Sequence, residues 1–235
     1  MKITFLGTTD GVKRPGRRNT STMIQVGDSV YFIDMGTTVM ADLVDGGIPT
    51  ESVKAVFFTH MHGDHTSGLF EFIDLYNWYY PGEPKIFLTD ERSIPVIREW
   101  NGILEDHCDA DLDVVTEGTF YDDGTVRVTA IRNHHTKTSF SFIFEAEGKK
   151  ILFSGDLGGD GDKPEEFSQH KWDLAVIEGS HPDPMGFEDM LRKTGAKQAY
   201  FNHIEPHREE RIAMLAEALA PVPVIAAVDG MVVEI

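Results

Sequence analysis

The segment His60-Met61-His62-Gly63-Asp64-His65 puts four metal-ligating side chains into six positions, directly after the apolar run 53–58 (VKAVFF). Three imidazoles and a carboxylate at one strand end are hard to account for as packing, because such groups are seldom buried without a partner. In extended backbone, residues two apart share a face, so His60 and His62 can reach one ion while Met61 points away. Asp64 and His65 then turn toward a second ion, with Gly63 expected to relieve the bend. A chain carrying this segment must fold so that one strand ends at a pocket into which other strand ends also point.

Three later residues are placed to meet it: His135 after an expected strand at 126–131, Asp156 after one at 151–153 and His203 after one at 198–201. Strand ends on one side of an α/β sheet come together in space. Seven ligands, five His and two Asp, suit two zinc-like ions bridged by one carboxylate and one hydroxide. Cys108 is the only cysteine, which excludes an intrachain disulfide and a thiolate cluster. Its acidic surroundings at 105–109 are expected to raise its pKa and leave it inert.

Short β-rich runs open the chain at 2–6, 22–26 and 30–33, the last two joined by Gly27-Asp28, a pair suited to a hairpin turn. Helices are then expected at 38–45, 67–80, 91–100, 187–193 and 208–220. Strands are expected between and after them at 55–58, 85–88, 126–131, 140–145, 151–153, 174–177, 198–201 and 231–235. No repeat or linker divides the chain, so one domain over 1–235 is expected, within what a single core supports. The order predicts an α/β fold of two facing sheets with helices outside, a four-layer αββα sandwich. In the aromatic-rich stretch 69–80, helical spacing assigns Phe70 and Phe72 to the core. The exposed end of that helix could pack a base or acyl chain, or form the surface of a homodimer.

Thirty-nine acidic residues against 21 basic ones leave a net charge of −18. That balance disfavours non-specific binding to nucleic acid or to an anionic membrane. The first seven residues lack the apolar core of a secretory signal, and no apolar run approaches the roughly 20 residues that span a bilayer. A cytoplasmic protein without membrane contact is the expectation.

The motif and its partners resemble the metallo-β-lactamase superfamily: HMHGDH at 60–65, the His of NHHTKTSFSF at 133–142, the Asp of ILFSGD at 151–156 and the His of AYFNHI at 199–204. The C-terminal DGMVVEI at 229–235 is also similar to this family. The resemblance implies that His60, His62 and His135 hold a first ion and Asp64, His65 and His203 a second, with Asp156 bridging. Relatives carry an aromatic residue five positions after the third histidine; Phe140 stands there relative to His135, which leaves His134 behind the ligands, facing substrate. The implied chemistry is hydrolysis by a metal-bridging hydroxide oriented by Asp64, on two Zn2+, with Mn2+ or Fe as alternatives.

The pattern FLGTTDGVKRPGRRNTST at 5–22, followed by FIDMG at 32–36, resembles the RNase Z and phosphodiesterase branch. Lys13, Arg14, Arg17 and Arg18 there form a basic cluster in an acidic chain, and arginine forks suit phosphate oxygens. The alternative is a solvated loop with no ligand. WDLAVIEGSH at 172–181 looks like the segment where RNase Z carries a His-Glu pair acting at the scissile phosphate. Glu178 matches the Glu, Ile177 occupies the His position, and His181 stands three residues on as an alternative proton donor. RNase Z enzymes also carry a Gly- and Pro-rich arm that grips tRNA, often between the third His and the bridging Asp, where only a short strand pair is expected here. These features favour a small anionic substrate, a cyclic phosphodiester, over tRNA. The competing readings are hydrolysis of a carboxylic ester, lactone or thioester, and a non-hydrolytic role in cofactor biosynthesis or oxygen chemistry with iron in place of zinc.

Overall fold

The computed structural model describes residues 1–105 and 107–235. Asp106, part of the acidic segment beside Cys108, lies outside the described residues. Two seven-stranded sheets face each other. The first is built from β1 (Lys2–Gly7), β2 (Ser21–Val26), β3 (Ser29–Met35), β4 (Val53–Phe57), β5 (Lys85–Leu88) and β6 (Asp111–Val114), with β14 (Met231–Glu234) beside β1. The second runs β7 (Gly118–Asp122), β8 (Val126–Arg132), β9 (Phe140–Ala146), β10 (Lys149–Phe153), β11 (Leu174–Glu178), β12 (Ala199–Asn202) and β13 (Val224–Ala226). Helices α1 (Met40–Asp45), α2 (Gly63–Thr66), α3 (Leu69–Trp78) and α4 (Ser93–Glu105) accompany the first sheet; α5 (Glu188–Thr194) and α6 (Glu209–Leu219) cover the second. The αββα sandwich is therefore the observed fold.

Alternation along the strands separates the layers. Ile3, Phe5, Ile24, Tyr31 and Phe57 of the first sheet meet Val128, Phe142, Phe144 and Phe153 of the second in the central core. Their neighbours in the chain, such as Phe32, Val56 and Phe58, turn outward to Phe72 and Ile73 of α3. Phe57 is fully buried, with its ring centroid 6.4 Å from that of Phe142 across the sandwich. An aromatic seam of this kind fixes the two sheets face to face.

The expected hairpin turns at Gly27-Asp28. The strands that sequence reading missed, β6, β7 and β13, are all sheet edges. Edge strands carry little buried surface and tolerate charge, as Asp111 and Asp113 illustrate, so the apolar alternation that marks a strand is lost. Phe70 also departs from expectation. It is 37% exposed and packs against Trp100 of α4 at 5.7 Å, whereas Phe72 is buried. With Val96, Trp100 and Ile103 it lines an exposed apolar face of α3 and α4. Among the described residues, no helix is long and apolar enough to cross a membrane.

Candidate metal centre

Strands β3 to β6 run parallel in one sheet and β10 to β13 run parallel in the other. Their carboxyl ends open onto the same rim, and the seven sequence-derived donors gather there. His60, His62 and His135 form one group and Asp64, His65, Asp156 and His203 another, with the donor atoms of each lying within 4.8 Å of one another. Asp156 sits between the groups. Its Oδ2 is 3.7 Å from His60 Nε2, 3.6 Å from His135 Nε2 and 3.5 Å from His203 Nε2, while Oδ1 is 3.4 Å from His65 Nε2.

Local structure accounts for each approach. His62 ends the extended segment and caps the single turn α2, which swings Asp64 and His65 inward. Gly63 has ordinary helical backbone there, and a Cβ added to it would meet nothing within 4 Å, so the turn rather than glycine's freedom makes the bend. The required glycine is Gly36: a Cβ on it would lie 1.7 Å from the Asp64 carbonyl oxygen. His203 follows β12 with φ of 51°, a conformation non-glycine residues adopt at a cost of about 1–3 kcal/mol, retained where surroundings over-determine it. Of the adjacent histidines, His135 faces His62, Nε2 to Nδ1 at 3.1 Å, while His134 points outward with a side chain 84% exposed.

Behind the donors lies a residue that sequence reasoning did not single out. Asp34, buried at the end of β3 with φ of 57°, accepts from Thr59 N and Thr59 Oγ1, each at 2.8 Å, and stands 2.8 Å from His65 Nδ1. A carboxylate behind a ligating imidazole fixes both its tautomer and its orientation. An acid inside the apolar run YFIDM was the available signal. Glu178 at the end of β11 is likewise buried and accepts from the backbone N–H of Leu157 at 2.6 Å and of His181 at 2.8 Å. Its Oε2 is 3.0 Å from His181 Nδ1. The His181 ring lies nearly parallel to that of His203, and its Nδ1 is 3.9 Å from Asp156 Oδ2.

The buried atoms fit a cation. His60 Nε2, His65 Nε2 and Asp156 Oδ1 are buried without a hydrogen-bond partner, an arrangement that costs about 1–3 kcal/mol for each such group unless something binds there. Burial and the charge of His65 push His60 down to about 2. Burial opposes ionisation of Asp156 and Asp64, yet the neighbouring histidines outweigh it and hold both carboxyls well below their ordinary range. His65 and His203 are correspondingly raised by Asp156 against the effect of burial. Without a cation the cluster thus balances its carboxylates with protons, and divalent metal binding displaces such protons.

The basic loop is placed beside the site by the pairing of Thr9 with Ile204, next to His203. Its arginines are largely engaged. Arg14 grips Asp10 at 2.8 Å, Arg18 forks onto both oxygens of Asp42 at 2.8 and 2.6 Å, and Arg17 donates to Thr8 Oγ1 at 3.1 Å. Lys13 bonds Asn19. Arg18→Ala is therefore expected to lower the melting temperature by about 2–4 °C, the shift that 1 kcal/mol makes in a chain of this size, without raising KM. A raised KM at unchanged melting temperature would assign Arg18 to substrate instead.

This is the fold of the metallo-β-lactamase superfamily. Solved neighbours include the metallo-β-lactamase fold protein YhfI from Bacillus subtilis (TM-score 0.79, 16% identity, 99% of each chain). Two others are the short form of human tRNase Z (0.76, 19%, 100% and 99%) and a diphosphatase from the PhnP family (0.72, 18%, 100% and 97%). Within the superfamily the chain belongs to the family described as Anti-Pycsar protein Apyc1, which matches residues 1–178. That match takes in His60 through Glu178 and stops short of His181 and His203. Curated relatives are ribonuclease Z of Picrophilus torridus, 28% identical over 143 residues (60% of this chain, 46% of the relative), and of Latilactobacillus sakei, 29% over 168 residues (68% and 54%). The chain spans about half the length of these relatives.

Proposed function

We propose that the protein is a metal-dependent phosphodiesterase acting on a small, cyclic phosphodiester. The observation that carries this reading is the His181–Glu178 pair held against Asp156 and His203, a proton donor beside the donor cluster. The relatives named as a ribonuclease and a diphosphatase support phosphate chemistry. A small substrate is supported by the net charge of −18 and by the interval between His135 and Asp156, where β9 and β10 form a strand pair of the second sheet.

His60, His62 and His135 would hold one divalent ion and Asp64, His65 and His203 another, with Asp156 shared; zinc suits these donors, and manganese or iron are the alternatives. Bound there, such ions supply a nucleophilic water near neutral pH and polarise the phosphate. Asp64 has an oxygen left to accept a hydrogen bond from the attacking water, which aims its lone pair. Glu178 anchors His181 through Nδ1 and raises its pKa, leaving Nε2 to give its proton to the departing oxygen.

A panel of bis-p-nitrophenyl phosphate, cyclic nucleotides, a lactone and a thioester, each assayed with and without chelator, tests the reading. Chelator-sensitive cleavage of a cyclic phosphodiester is expected; cleavage of the lactone or thioester alone would overturn it. His181→Ala is expected to slow a cyclic nucleotide by about 10²–10⁴-fold, the usual worth of a general acid. Bis-p-nitrophenyl phosphate should slow far less, since nitrophenolate leaves unprotonated. Equal losses on both would remove His181 from the proton-donor role. The apolar face of α3 and α4 supports a homodimer in the same reading, and a monomer by sedimentation would exclude one.

A further inference from the structure

Asp162 belongs to no ligand group, yet its carboxylate joins the two loops that carry ligands from different strands. Oδ2 accepts from the backbone N–H of His134 and from that of Gly158, both at 2.7 Å, and Oδ1 is 2.9 Å from His134 Nδ1. The residue is 8% exposed, and the backbone N–H bonds outweigh burial in keeping its carboxyl ionised. One loop is the turn after β8, which bears His135. The other leaves β10 bearing Asp156 and returns through Leu157, whose N–H is held by Glu178.

We propose that Asp162 is a positioning residue that locks the His134–His135 turn to the loop after Asp156, and so fixes the reach of His135 to the shared carboxylate. The inference rests on the metal reading above. The backbone N–H of His135 makes only a weak bond, 3.4 Å to Asn133 Oδ1, while its ring meets His62 and the turn beyond it is closed by Thr136 N–H donating to Ser139 Oγ at 2.9 Å. The neighbouring peptide, by contrast, is held by Asp162 and packed against Gly158, on which a Cβ would lie 2.9 Å from the His134 carbonyl oxygen. Close backbone contact and a two-pronged carboxylate therefore set one spacing. His135 Nε2 stands 3.6 Å from Asp156 Oδ2 as a result.

Zinc titration of chelator-stripped protein, followed by competition with a chromogenic chelator, reads the effect directly. Asp162→Ala should weaken one zinc by about 10–100-fold, the usual cost of losing a residue that orients a ligand, with the far-UV spectrum retained. Asp162→Asn should restore parental affinity, because its Oδ1 can take both N–H groups while Nδ2 faces His134 Nδ1 in the acceptor tautomer. Gly158→Ala puts a Cβ 2.9 Å from the His134 carbonyl oxygen and 3.3 Å from Asp162 Oδ2, wedging the loops apart, and should reproduce the loss. Parental affinity in Asp162→Ala would overturn the proposal, as would an Asn variant as weak as Ala. Failure of the parent protein itself to bind zinc would instead defeat the underlying metal reading.

Discussion

Asp64→Ala is expected to reduce turnover by about a thousand-fold or more, since it removes a donor together with the group that orients the attacking water. Asp64 Oδ2 lies 3.2 Å from His203 Nε2 and 3.6 Å from His65 Nε2, so it belongs to the second group only. The variant should retain its far-UV spectrum, because the side chain is partly exposed at the rim. On the proposed two-ion site, bound metal should fall by about one ion per chain. His62→Ala makes the complementary test on the first group, where the side chain is exposed and its loss leaves no cavity in the core. Near-parental turnover in either variant would sink the mechanism.

The second large effect is expected at a residue that touches no substrate. Asp34→Ala strands two buried groups, Thr59 N and His65 Nδ1, takes one of two partners from Thr59 Oγ1, which keeps its contact with His60 Nδ1 at 3.1 Å, and places alanine at a φ of 57°. Unmet buried hydrogen-bonding groups cost about 1–3 kcal/mol each, so a loss of about 3–5 kcal/mol by urea unfolding is expected. Metal affinity should fall by about 10–100-fold as well, because His65 loses the carboxylate that orients it. Asp34→Asn separates the two effects. Asparagine tolerates the backbone conformation and can still accept from Thr59 N, so stability should largely return while metal affinity stays low. A metal affinity unaffected by Asp34→Ala would show that His65 needs no such support.

Much of the site could be read from residues in order. His60, His62, Asp64 and His65 are close in sequence, and His135, Asp156 and His203 each follow a recognisable apolar strand, so their convergence needed only parallel strand ends. Asp34 was harder to see, because its partner Thr59 lies just past the end of the neighbouring strand β4 and its neighbours in sequence are core residues. The arginine loop was legible as charge but not as pairing. Nothing in RPGRR states that Asp10 and Asp42 lie within reach. Phe70 was misassigned for a related reason: helical spacing defines a face, and the second helix that half-covers it, α4, must be in place before burial is settled.

The sequence by itself supplied the candidate donors, the alternation that makes two sheets and helices, and the negative charge that weighs against polyanions. These are local or summed properties, carried by residue identity and by periods of two and 3.6. Only the tertiary structure decided that the Glu178–His181 pair reaches Asp156, that Asp34 stands behind His65, and that Asp162 ties the loop of His134 to that of Gly158. Each of those depends on contacts between segments tens of residues apart. Their distances follow from how strands of one sheet and the loops after them pair side by side, and no single stretch of chain encodes them.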